Sequence, residues 1–324
     1  MRFHPGIVPG VLGGLVLACT PAAARGANHV ELTVCGARID VQFEGPTPEL
    51  PRQAFVKWID ASARAVVRYF GRFPVDHYRI RVITSGGGGG VQNGRTWGYG
   101  GAHTEVRIGR AVSQAQLAHD WVMTHEMVHV AFPNTGDDHP WIQEGVATYV
   151  EPLARSFVGT TSTRAVWGDL VEGLPNGMPP AGDLGLDHSD SWGRTYWGGA
   201  LFYAQADVRI RRQTSNRLGL VDALRGILAA GGNNEVEWSP ARAFAVGDEA
   251  VGLKVLEELW AEMGPKPMAP DLDLFWKRLG VPSERDAPFD DAAPEASIRK
   301  AISAAPPATA CQALVPTSPP PKGQ

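Results

Sequence analysis

The segment HEMVH at 125–129 constrains this chain more than any other. Two histidines four positions apart on a helix leave from the same face, so both imidazoles can bind one Zn²⁺ ion. The surrounding residues predict that helix, over 113–132: Ser113 is a candidate N-cap, and Leu117, Trp121, Val122, Val128 and Ala131 supply its apolar positions. Pro133, Asn134 and Gly136 end it.

Zinc favours tetrahedral nitrogen and oxygen ligands, and a catalytic site needs a third protein ligand besides a water. Glu144 is the better candidate. It falls within WIQEGVATYVE on a second predicted helix, which starts at Pro140 and runs to about Phe157. A short link between the helices lets all three groups converge. His139 is the alternative, although the longer HExxHxxGxxH pattern would need glycine and histidine where this chain has Phe132 and Thr135. Glu126, between the two histidines, is the candidate general base.

The rest of the chain narrows the setting. Its 324 residues are 44% hydrophobic, enough for a globular core, and a formal charge of −4 lacks the basic excess that nucleic-acid binding requires. Positions 1–26 have the layout of a secretory signal peptide: Arg2, an apolar stretch from Gly6 to Ala18, then Ala22, Ala23 and Ala24. The expectation is export to a periplasm or the exterior. Val16, Leu17 and Ala18 before Cys19 also resemble a lipobox, with a lipid anchor on Cys19 as the variant reading. No later segment is long and apolar enough for a transmembrane helix. Cys35 and Cys311 are then left as one expected disulfide in an oxidising compartment.

Apolar alternation predicts strands at His29–Val34 and Ala37–Phe43, and helical periodicity predicts a helix over 49–70. A strand is expected at 77–83 and another at 101–108. Between them, Gly86 to Gly90 read as a loop; no Lys followed by Ser or Thr closes it as a phosphate loop would require. Helical patterns recur at 193–212, 218–229, 248–263 and 272–279. Region 27–112 thus carries strands, a helix and the substrate-side strand, 113–280 the metal-binding helical part of the same domain, and 281–324 an extension ending in a Pro/Ala-rich tail.

HEMVH followed by WIQEGVATYVE resembles the gluzincins, the zinc peptidases that include thermolysin, the leukotriene hydrolase and aminopeptidase group, and the glycyl aminopeptidases. The segment from Thr195 to Leu228, beginning TYWGGALFYAQ, is similar to a glycyl aminopeptidase helix with the pattern YxKGA. The resemblance implies an α+β, thermolysin-like zincin fold with a small mixed sheet before a mainly helical half. It implies one zinc ion on His125, His129 and Glu144, and a transition-state tyrosine at Tyr196. It also implies an edge strand along GYGGAHTEVRIG, where Gly100, Gly101, Ala102 and His103 would bind a peptide or protein substrate. Three departures stand out: the gap from His129 to Glu144 is short, Gly198 replaces the lysine of YxKGA, and His103 stands where aminopeptidases grip a substrate amine with glutamate. Peptide hydrolysis is therefore expected, with aminopeptidase action open. The rival readings are a zinc hydrolase of another substrate and an inactive binding protein on the same fold.

Overall fold

The computed structural model describes residues 28–307, so the apolar leader, Cys19, Cys311 and the end of the tail lie outside the described residues. Strands β1 (His29–Val34) and β2 (Ala37–Glu44) form a hairpin. Its two-residue turn needs positive φ at both positions, and Cys35 and Gly36 supply it at 50° and 85°. Cys35 is disulfide-bonded, and the chain's other two cysteines are the ones outside the described residues.

Helix α1 (Arg52–Phe70) buries Phe55, Ile59, Ala63, Val66 and Phe70, a spacing of three and four that makes one apolar face. Gly71, left-handed at φ 85°, stops it by donating its N–H to the Val67 carbonyl. Strands β3 (His77–Ser85), β4 (Val91–Trp97) and β5 (His103–Gly109) complete a five-stranded sheet of order β1-β2-β3-β5-β4. The centre is parallel, and the outer strands β1 and β4 are antiparallel to their neighbours.

This order corrects the expected edge. The strand over Gly98–Gly109 is interior, because β4 pairs along it from Trp97 opposite His103 to Val91 opposite Ile108. Strand β4 escaped the sequence reading because QNGRTW shows no apolar alternation. As an edge strand it buries little, and the glycine run before it hides its start.

The predicted helix over 113–132 is two helices, α2 (Gln114–His119) and α3 (Val122–His129). Asp120 breaks it. Its backbone is extended, while its carboxylate accepts the Met123 N–H at 3.0 Å and the Trp58 indole N–H at 3.0 Å, so it caps the new helix. Helices α4 (Pro140–Phe157), α5 (Thr163–Gly173), α6 (Gly199–Thr214) and α7 (Leu220–Ala229) follow, with a π-helical turn over Gly193–Gly198 leading into α6.

The helix expected at 248–263 is likewise divided, into α8 (Pro240–Val251) and α9 (Val255–Met263). Gly252 is left-handed at φ 67°, and the Asp248 carboxylate accepts the N–H groups of Leu256 and Glu257 at 2.9 Å each. Helices α10 (Leu272–Leu279) and α11 (Ala296–Ser303) close the described chain. Buried Ile298 and Ile302 of α11 join the common core. The architecture is an α+β fold, a mixed sheet followed by a mainly helical half. Among the described residues no helix is long and apolar enough to cross a membrane.

Candidate metal centre

Helices α3 and α4 bring His125, His129 and Glu144 together, with one ligand atom from each inside a span of 4.8 Å. Glu144 Oε2 lies 3.1 Å from His125 Nε2 and 3.5 Å from His129 Nε2. Ligands about 2.0–2.2 Å from a tetrahedral zinc ion stand roughly 3.3–3.6 Å apart, so the donor set suits zinc and the two Glu144–histidine distances lie close to that range. Burial opposes ionisation of Glu144, but the imidazoles of His129 and His125 outweigh it and hold its carboxyl below the usual carboxylate range. Burial pulls His129 the other way, yet Glu144 and Glu126 keep its pKa raised. These groups together favour positive charge at their centre.

Glu126 points toward β4. Its Oε2 accepts the Thr96 hydroxyl at 2.7 Å; Thr96 lies 2.5 Å from the Thr104 hydroxyl, which contacts the Tyr78 hydroxyl in turn. Because Thr96 gives its one proton to the carboxylate, Thr104 donates to Thr96 and Tyr78 to Thr104. A file of hydroxyls, buried at Tyr78 and Thr104 and half-buried at Thr96, therefore aims its protons at Glu126. Gly94 makes the approach possible, since a Cβ there would lie 2.5 Å from the Glu126 Cγ.

Tyr196 arrives from the π-helical turn. Where α4 crosses the start of α6, the backbones touch: a Cβ on Gly145 would meet the Gly199 backbone at 2.4 Å, and one on Gly199 would meet the Trp141 carbonyl at 2.2 Å. Glu144, next to this crossing, is thereby brought beside Tyr196, whose ring stacks on His125 with centroids 6.1 Å apart. The buried Arg194 pins the turn through its pair with Asp183 at 2.9 Å. Burial, reinforced by the charges of Glu144 and Glu126, pushes the Tyr196 hydroxyl up to about 12, so it stays protonated and able to donate.

The remaining candidates separate clearly. His139 is engaged elsewhere: its Nδ1 donates to Asp187 at 2.9 Å, and the same carboxylate accepts the indoles of Trp141 and Trp260. Gly100, Gly101, Ala102 and His103 do not line the cleft that holds the metal residues. The carbonyls of Gly100 and Gly101 accept from Arg79, the Ala102 N–H donates to Glu235, and the His103 ring packs on Trp97. Strand alternation turns Thr104 toward Glu126 and puts Glu105 on the opposite face, where Arg81 binds it. The cleft, about 490 Å³, is instead bordered by Gly94 to Tyr99 of β4 and the turn after it. Thr96 was missed for want of a motif; its strand, once found, was the only signal available.

The sequence matches no family profile and no curated protein. Solved structures do resemble the fold. An aminopeptidase N family protein from Idiomarina loihiensis superposes with a TM-score of 0.59 at 14% identity, covering 77% of this chain and 49% of that one. An M1 zinc metallopeptidase from Deinococcus radiodurans gives 0.47 at 15% identity, covering 75% and 52%. A mutant of that enzyme, bound to a Tyr-Ser-Ala substrate, gives 0.48 at 13%, covering 75% and 52%. The chain thus spans about half the length of the proteins it matches, and what it shares with the Idiomarina protein is the fold.

Proposed function

We propose that this protein is an exported zinc-dependent peptidase in which His125, His129 and Glu144 hold the metal and Glu126 is the general base. The observation that carries the reading is the conjunction of a zinc-shaped ligand trio with a carboxylate held by a directed hydroxyl chain at the same point. A zinc ion on this trio supplies a bound water acidified toward neutral pH and a Lewis acid for the scissile carbonyl. Glu126 takes the proton of the attacking water and delivers it to the departing amine. Thr96 keeps the base aimed, and the protonated Tyr196 donates to the oxygen that gains negative charge. Among the described residues β4 is the outer strand, and its unpaired side offers main-chain groups to an extended peptide by strand addition. The disulfide at Cys35 supports an oxidising compartment, in keeping with the signal-like leader.

The test is Glu126→Gln. Zinc content should stay near one per chain while chelator-sensitive hydrolysis of a mixed peptide library falls by at least about 100-fold. Retained hydrolysis would refute the role of Glu126, and a zinc-loaded wild type that cleaves no peptide would refute the peptidase reading.

A further inference from the structure

A second cavity, about 610 Å³, opens on the Trp121 side of the metal residues and shares His125 and Tyr196 with the first cleft as walls. We infer that it is a subsite for a large apolar side chain, aromatic or branched aliphatic, on one of the two substrate residues flanking the scissile bond. This rests on the peptidase reading above, because a group entering the cavity lies beside the bond that His125 and Tyr196 border.

The walls are built for such an occupant. Trp121 and Trp192 are 50% and 64% exposed, although burying indole surface gains about 25 cal/mol per Å². Exposed aromatics grouped at a cleft mark a surface that a ligand covers. The π-helical turn explains their grouping. Its wider i→i+5 winding puts Trp192, Tyr196 and Trp197 on one side, with the Trp192 and Tyr196 rings stacked at 5.7 Å. Trp197 has a dedicated seat: a Cβ on Gly173 would come within 2.1 Å of its ring.

Each carboxylate in the cavity wall already has an arginine partner, with Asp169 and Glu172 sharing one. Glu151 is bound by Arg155 at 2.9 Å, and Asp169 and Glu172 are both bound by Arg285, at 2.6 and 2.8 Å. A charged side chain would find no unmatched partner among these carboxylates and would lose its hydration on entry. An apolar side chain would cover the indoles without that loss.

For each of the two positions flanking a chosen peptide bond, a pair of blocked peptides identical except for phenylalanine or serine there tests the inference by calorimetric binding to zinc-loaded Glu126→Gln protein. With phenylalanine at one of the two positions, binding should be at least about tenfold tighter than with serine. In the Trp192→Ala background, and in Ala165→Trp, which fills the cavity, the preference should shrink below about threefold. Equal binding at both positions, or a preference untouched by both variants, overturns the inference. If the preference is present and yields to the variants but the wild type cleaves none of the peptides, the apolar side-chain site stands and the hydrolytic reading falls.

Discussion

Glu126 serves as a base only if its carboxylate stays aimed at the metal-side water, and a glutamate on a helix has three side-chain torsions with which to turn away. The Thr96 hydroxyl, 2.7 Å from Oε2, removes that freedom and is itself held through Thr104 and Tyr78. Thr96→Val keeps the volume and deletes the donor. It should lower kcat by about 10–100-fold with KM and zinc content nearly unchanged, and Thr96→Ser should recover most of the loss. A loss confined to KM would place Thr96 in substrate binding instead. The two histidines were legible from five residues because a metal site requires that spacing. Thr96 was not, because a hydroxyl on an edge strand carries no pattern of its own until the strand that faces it is known.

The crossing of α4 and α6 sets where Tyr196 stands. Gly145→Ala puts a methyl group 2.4 Å from the Gly199 backbone, so the helices must separate. Stability should drop by about 1–3 kcal/mol in denaturant titration, and catalysis should fall further than stability explains because Tyr196 moves away from Glu144. A neutral effect on both would contradict the close crossing.

Helix α4 also carries Glu151, pushed up to about 7 mainly by burial and only partly relieved by Arg155. Its folded pKa exceeds its unfolded value of about 4.5, so between those values the folded state binds more protons, and stability falls as pH rises through that window. The loss from this group is on the order of 3 kcal/mol once pH exceeds 7. Glu151→Gln should therefore become more stable relative to wild type between pH 5 and pH 8, read as the difference in midpoint denaturant concentration. A difference independent of pH would assign Glu151 an ordinary titration.

Across the whole molecule, apolar periodicity disclosed the strands that bury alternate residues and the helix faces that meet the core. It failed where a side chain, not the pattern, decides the break: Asp120 divides α2 from α3, and Asp248 caps α9 just after Gly252 ends α8. It also failed at β4, so the sheet edge was expected one strand too far inward, and the cleft beside the metal residues is bordered by residues 94–99 and not by His103. The exposure of Trp121 and Trp192 beside the metal residues could be learned only from the fold. The proposed function joins these parts through a metal ion held where α3 and α4 converge beside the π-helical turn. A zinc-edge anomalous difference map from crystals of the purified protein measures that directly. The predicted result is one peak about 2.0–2.2 Å from His125 Nε2, His129 Nε2 and a Glu144 oxygen; absence of a peak there from zinc-supplemented crystals, or a peak bound through His139 instead of Glu144, would contradict it.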